Sequence, residues 1–216
     1  MSEQLPVVGI VGGTGPQGRG LARRLAQGGV EVVLGSRSAD RARDSALGIG
    51  AGVSGASNEE CVRASGVVVV AVPWDGHRET LVALADELAG KVVVDCVNPL
   101  AFDKQGAYPV RVPEGSAAQQ AQALAPGATV VAAFHHLSAV TLLDESVQSV
   151  GSDVLVLGDD REATDLVQAL AERIAGCRGI FAGRLRNAGQ VEALTAVLIA
   201  VNRRYKVHAG LRVTDV

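Results

Sequence analysis

Gly13-Thr14-Gly15-Pro16-Gln17-Gly18 sits between an apolar run, Val7 to Val11, and a helix-forming stretch through Leu21-Ala22-Arg23-Arg24-Leu25, and a second apolar run, Val30 to Leu34, follows. The order predicts strand, tight turn, helix, strand. In a G-x-G-x-x-G turn the first glycine lets the chain leave the strand sharply, the second lets the backbone approach a pyrophosphate, and the third lets helix and sheet pack closely. The unpaired N–H groups at the helix start, near Gln17 and Gly18, then face an anion. With the flanking strands and helix present, the segment predicts a dinucleotide site.

The end of the second strand selects among dinucleotides. An NAD site places Asp or Glu there for the ribose 2′-hydroxyl, whereas a 2′-phosphate is repelled by a carboxylate and attracted by cations. This chain supplies Ser36 as a hydroxyl donor, Arg37 as a planar fork and Arg41 about one helical turn later. The pattern predicts NADP(H). A plainer alternative makes Ser38 or Asp40 a helix N-cap and Arg41 a solvated cation.

Strand and helix signals continue to alternate. Helix is expected over about Ala39 to Leu47, a Gly/Ser-rich passage over Gly48 to Ser57 with room for a short strand, and a helical turn from Asn58. Strand follows at Val67 to Val72, ended by Pro73, then helix over His77 to Leu88 and strand over Val92 to Asp95. A long connection leads to Pro113, followed by a helix near Ser116 to Leu124 and a strand at Thr129 to Ala133. Such alternation predicts an α/β fold, a doubly wound Rossmann-type parallel sheet. An apolar fraction of 48% with only 3% aromatics implies a core of Val, Ala and Leu, which suits strands buried on both faces. From about Gly151 a small C-terminal α/β unit is expected: strand Asp153 to Gly158, a capped helix to Ile174, strand Gly179 to Ala182. A last helix from about Asn187 to Tyr205 would place Val191, Leu194, Leu198 and Val201 on one face. A soft boundary near residue 150 therefore separates a nucleotide-binding domain, 1–150, from a smaller unit, 151–216.

Net charge is −3, unevenly spread: residues 173–216 hold eight Lys or Arg and two acids. A basic C-terminal stretch could meet an anionic cofactor, an acidic face of a partner subunit, or only solvent. Nucleic acid is a poor fit, with few aromatics and no recognisable motif. Cys61, Cys96 and Cys177 are odd in number and lack metal-ligand spacing, as reduced interior residues of a cytosolic protein would be. Met-Ser-Glu-Gln-Leu-Pro shows no basic-then-apolar pattern and no apolar run reaches transmembrane length, so a cytoplasmic location without membrane attachment is expected.

Ligands of doubly wound folds bind at the carboxyl ends of strands. Here those ends are Gly12 to Gly18, Ser36-Arg37, Val72-Pro73-Trp74-Asp75, Cys96-Val97-Asn98-Pro99 and Ala133-Phe134-His135-His136-Leu137. Trp74 is expected against the nucleotide, with packing under a loop as the alternative. His135 is the expected ligand contact of the histidine pair. No nucleophile–base order, H-E-x-x-H or paired strand-end carboxylates occur, so neither a proton relay nor a metal centre is expected.

Gly12-Gly-Thr-Gly-Pro-Gln-Gly18, Gly35-Ser-Arg37, Val72-Pro-Trp74, Ala133-Phe-His135 and Asn187-Ala-Gly-Gln-Val-Glu-Ala-Leu-Thr195 together resemble the NADPH-dependent reductases of the deazaflavin coenzyme F420. The resemblance runs over nearly the whole chain. It implies reversible hydride transfer between NADP(H) and coenzyme F420 as co-substrate, in a cytoplasmic homodimer, with no residue acting in proton transfer. By position it implies that Gly13, Thr14, Gly15, Pro16, Gln17 and Gly18 wrap the diphosphate, and that Ser36, Arg37 and Arg41 hold the 2′-phosphate. Val72, Pro73, Trp74, Arg78, Asn98 and Ala139 would line the nucleotide path. His135 and Leu137 would lie where the two rings meet, with Ala209 on the far side of the deazaflavin. His136, Ser138 and Arg78 depart from the pattern expected in archaeal relatives. Arg184, Arg186, Arg203 and Arg204 could attract the coenzyme's anionic tail. Competing readings are an NADP-dependent reductase of a small imine or carbonyl compound, for which the C-terminal unit is short, and a non-catalytic NADP sensor.

Overall fold

A computed structural model describes residues 5–216. Strand β1 (Val8–Val11) turns into helix α1 (Pro16–Gln27) and returns as β2 (Val32–Ser36). Then follow α2 (Ala39–Leu47), β3 (Val53–Ser57), α3 (Asn58–Ala64), β4 (Val67–Val70), α4 (Trp74–Leu84) and β5 (Val92–Asp95). An antiparallel hairpin, β6 (Leu100–Asp103) and β7 (Gly106–Pro109), precedes α5 (Ala117–Leu124) and β8 (Thr129–Ala132). The chain closes with α6 (Ala139–Leu143), β9 (Asp153–Gly158), α7 (Arg161–Glu172), β10 (Arg178–Gly183), a 3-10 turn at Leu185–Asn187 and α8 (Ala188–Tyr205).

The main sheet has eight strands in the order β10-β9-β8-β5-β4-β1-β2-β3. Residues alternate between two cores with the period of a strand. Val8, Ile10, Val67, Val69 and Val94 point to a face covered by α1, α2, α6 and α7, while Val11, Val68, Val70 and Val93 point to a face covered by α3, α4, α5 and α8. Both faces are thus covered, as the Val-rich runs require.

Six strands, β3 through β8 in sheet order, are mutually parallel. Beyond them the direction reverses: β9 pairs antiparallel with β8, Ala132 facing Leu157, and β10 pairs parallel with β9. Residues 151–183 form a βαβ unit that hydrogen-bonds onto the same sheet. Its reversal comes from the connection after β8. That segment carries only the short α6 and no full crossover helix, so the chain re-enters the sheet from the end at which it left.

The hairpin was expected as irregular connection. Its signal is local: Asp103 Oδ1 accepts from the N–H groups of Gln105 (2.7 Å) and Gly106 (3.1 Å), and Gly106 has φ 130°. Helix α4 begins at Trp74, three residues before His77, because Pro73 serves as its N-cap.

Arg24 ties the glycine-loop helix to α6. Buried to 5% exposure, it donates to four backbone carbonyls at 2.8 Å, those of Leu142, Val147, Thr141 and Asp144, at the end of α6 and beyond. These are orphan helix-end acceptors that burial would leave unpaired. Arg24→Met, which keeps the stem and deletes the donors, is therefore expected to cost about 3 kcal/mol or more. A shift of the urea midpoint at unchanged slope measures it.

Candidate functional site

The turn after β1 is built by exclusion. Gly12 takes φ +74°, and a Cβ on it would lie 2.7 Å from Val72 Cγ1. The left-handed residue therefore precedes the motif's first glycine. Gly13 donates to Gly35 O at 2.9 Å, and a Cβ there would sit 2.7 Å from Ile10 O. A Cβ on Gly18 would fall 2.7 Å from Gly13 Cα, which is the close helix contact expected of the third glycine. Gly15, by contrast, has nothing nearer than Gly12 O at 3.5 Å. As the N-cap of α1, without a side-chain cap and with Pro16 next, it leaves the first-turn N–H groups open to an anion.

At the end of β2, Ser36 is buried while Arg37 and Arg41 are exposed. Ser38 is the N-cap of α2, accepting from Arg41 N at 3.3 Å, and Asp40 pairs with Arg43 at 2.8 Å. Among the described residues neither Arg37 nor Arg41 forms an ion pair. The cap and the cations coexist: the backbone N–H of Arg41 closes the helix start, and its exposed side chain is left without an ion-pair partner among the described residues.

The loop after β8 turns on Phe134, a buried residue held at φ 64°, a conformation that costs a bulky side chain about 1 kcal/mol or more. Gln17 Nε2 donates to Phe134 O at 3.4 Å, joining this loop to the glycine loop. Asn98 Nδ2 donates to His135 O at 2.9 Å, and Thr195 Oγ1 lies 3.2 Å from both Asn98 Oδ1 and His135 O. His135 is buried with neither ring nitrogen bonded, and burial pushes its pKa down to about 4. His136 donates from Nε2 to Asp153 O at 2.5 Å; burial outweighs that bond and keeps its pKa below the usual value. Both rings are neutral near pH 7.

Behind these loops lies a buried polar chain that inspection of motifs missed. His77 Nε2 meets Asp95 Oδ2 at 2.7 Å, and its Nδ1 meets Gln120 Oε1 at 3.0 Å. Gln120 must present its oxygen, because its Nε2 donates to Glu114 Oε2 at 3.1 Å. Both His77 nitrogens therefore donate, and the ring is an imidazolium. Burial opposes that charge, but Asp95, Gln120 and Glu192 outweigh it and raise the pKa. Asp95 Oδ1 accepts from Val97 N at 3.0 Å, which shapes the loop leading to Asn98. Glu192 of α8 accepts from Ala117 N (3.0 Å) and Ala118 N (3.2 Å), and burial lifts its carboxyl to about 7.

The fold and this geometry agree with comparisons to known proteins. A family model described as "NADP oxidoreductase coenzyme F420-dependent" matches residues 7–99. An F420-dependent NADP reductase of Methanothermobacter thermautotrophicus is 37% identical, over 96% of this chain and 94% of its own length. The chain belongs to the F420-dependent NADP reductase family. A second reductase of that name, from Methanocaldococcus jannaschii, is 36% identical over 96% of this chain and 98% of its own. The crystal structure of a putative F420-dependent NADP reductase from an Arthrobacter species superposes with a TM-score of 0.80, covering 97% and 99% of the two chains at 24% identity. That likeness speaks to fold alone.

Within this F420-dependent NADP reductase family member, Gly13 to Gly18, Asn98, His135 and Leu137 gather at one edge of the sheet. Trp74, expected against nucleotide, opens α4 and packs its ring on His77, centroids 5.4 Å apart. Arg78 is ion-paired with Glu114. Ala139 opens α6, and Ala209 N donates to Asn202 Oδ1 at 2.6 Å. Arg184, expected near the coenzyme tail, stands instead at the end of β10 beside Asp159, 3.7 Å away. Because β9 and β10 are reversed, that end lies at the sheet edge opposite the glycine loop. Thr195 and Glu192 belong to the Asn187–Thr195 motif, and their hydrogen bonds give it a physical meaning: it docks α8 onto α5 and onto the His135 loop.

His77 and Glu192 both bind protons more tightly folded than unfolded. These two contribute stability that falls as pH rises, through about 4.5 to 7 as Glu192 ionises and above 6.5 as His77 loses its proton. His135 and His136, held neutral by burial, contribute stability that is lost as pH falls below 6.5, so the opposing contributions offset one another below 6.5 and the fall stands alone above it. Melting temperatures should fall from pH 6.5 to 8, and Glu192→Gln, by removing one falling contribution, should make the change from pH 5 to 7 more positive than in the unsubstituted protein. An unchanged slope in the variant would refute the assignment.

Proposed function

We infer that this protein is an oxidoreductase that moves a hydride reversibly between NADP(H) and coenzyme F420. Family membership supports the reaction. The observation that carries NADP over NAD is the pair of unpaired guanidiniums, Arg37 and Arg41, beside Ser36 where a carboxylate would otherwise stand. The residues present fit the cofactor: an open approach at Gly15, unpaired N–H groups at the start of α1, and cations at the end of β2.

Hydride chemistry is supplied by the two bound cofactors. The chain binds, aligns and dries them. The glycine loop and Ser36, Arg37 and Arg41 anchor the nucleotide at its phosphates, leaving the nicotinamide end to meet Val72, Pro73, Asn98 and the His135–Leu137 loop. Neutral, unpartnered His135 offers a hydrogen-bonding edge and no charge. Such a site promotes reaction by holding two rings in contact distance, and the one proton that accompanies the hydride can be exchanged with solvent, so no residue of the chain has to donate it.

A homodimer and a cytoplasmic location complete the proposal. In support of the first, Leu194, Leu198 and Val201 of α8 are only half buried and Val197 is 58% exposed. Consistent with the second, no helix among the described residues is long and apolar enough to cross a membrane.

Mixing the protein with NADPH and oxidised F420 should bleach the deazaflavin absorbance, while NADH or FMN in place of either partner should not. Binding of NADPH without bleaching would favour a sensor or another acceptor, such as a small imine. Arg37→Ala with Arg41→Ala should raise KM for NADPH by about 100-fold. His135→Ala is expected to slow turnover by about tenfold; a loss of about four orders of magnitude would reveal a proton-transfer step.

A further inference from the structure

We propose that Asp153, Arg178 and Arg212 form an ionic clamp that positions the C-terminal segment 207–213 against the acceptor side of the site, making these three positioning residues for the second substrate. The proposal rests on the hydride-transfer reading above.

Asp153 is fully buried at the first residue of β9 and accepts four donors. Arg178 grips it with two bonds, Nε to Oδ1 at 2.8 Å and Nη2 to Oδ2 at 2.6 Å. Arg212 Nη1 adds a bond to Oδ1 at 3.1 Å and Val213 N one to Oδ2 at 2.7 Å. The backbone joins in: Asp153 N donates to Leu211 O at 2.7 Å, and Leu211 N donates to Ser152 Oγ at 3.0 Å. Arg178 also donates to Val213 O and Val216 O, each at 2.8 Å. After α8 ends at left-handed Lys206, the tail is thus fastened at 211, 212, 213 and 216 to the start of two strands.

The reversal of β9 gives this clamp its location. In a parallel strand, the first residue lies at the sheet edge away from ligand. In antiparallel β9 it lies beside the carboxyl end of β8, and Asp153 O accepts the His136 bond. One residue therefore holds the tail with its carboxylate and the histidine next to His135 with its carbonyl. A fully buried carboxylate that only anchored a chain terminus could be replaced by apolar packing at little cost. Here it joins two segments that face the same edge as Gly12 to Gly18, on the β8 side, where a second ring must enter to meet the nicotinamide.

The test compares Asp153→Asn, Arg212→Gln and Gly210→Val with Arg161→Gln, which removes a charge from the same C-terminal unit at the other end of α7 from the clamp. Gly210→Val leaves every charge in place but forces the tail off Ser152, since a Cβ there would lie 2.9 Å from Ser152 Cβ. The clamp variants should each raise KM for F420 by about tenfold with KM for NADPH changed less than about twofold, and Arg161→Gln should change neither. Faster hydrogen exchange at the amides of Leu211 and Val213 should accompany the rise. Equal losses toward both substrates, or a fall in melting temperature with both KM values intact, would overturn the positioning role. Absence of F420 turnover by the unsubstituted protein would instead overturn the hydride-transfer reading, and the acceptor role with it.

Discussion

A sheet whose central strands are buried on both faces leaves polar groups almost nowhere to go except its two edges. Val67 to Val70 and Val92 to Val94 face aliphatic cores above and below, so chemistry is expelled to the strand ends. The glycine loop, the Ser36-Arg37 cation site, the Asn98 loop and the His135 loop are all carboxyl ends of parallel strands. Parallel pairing brings them to one edge, and the small residues of the core let the covering helices approach closely enough to fix the loops between them.

Ordering at that edge comes from buried hydrogen bonds between groups far apart in the sequence. The imidazolium of His77 compensates the charge of Asp95, which shapes the turn to Asn98, and Asn98 with Thr195 holds the carbonyl of His135. Arg24 fixes the segment after Leu137 from the other side. Buried polar networks of this kind are stabilising only when each member is satisfied. The loop after β8 departs from this: His135 is a buried ring with two unpartnered nitrogens, and His136 Nδ1 is unpartnered as well.

Much of this was legible from residue patterns. The βαβ unit at the N-terminus, the order of the first strands and helices, the capped helix after Gly158 and the long last helix follow from periodicity and turn chemistry, which are local. The hairpin at residues 100–109 escaped because aromatic residues in a short, half-exposed segment lack a clear period. The meaning of Glu192 and Thr195 escaped for a different reason. Their partners, Ala117, Ala118, Asn98 and His135, are tens of residues away, and no spacing in the chain announces such contacts.

Local chemistry in the sequence by itself determined the dinucleotide turn and the cation pair at Arg37 and Arg41. Glycines at Gly13 and Gly18 are demanded by sub-3 Å approaches within one βαβ unit, Gly12 by its positive φ, and the cations follow the end of the next strand by connectivity alone. Only the tertiary structure decided which end of the C-terminal unit meets the site. Strand direction at the β8–β9 junction depends on how the connecting segment packs, and both directions bury the same apolar residues. The observed reversal brings Asp153, His136 and the tail to the ligand edge and carries Arg184 to the opposite one.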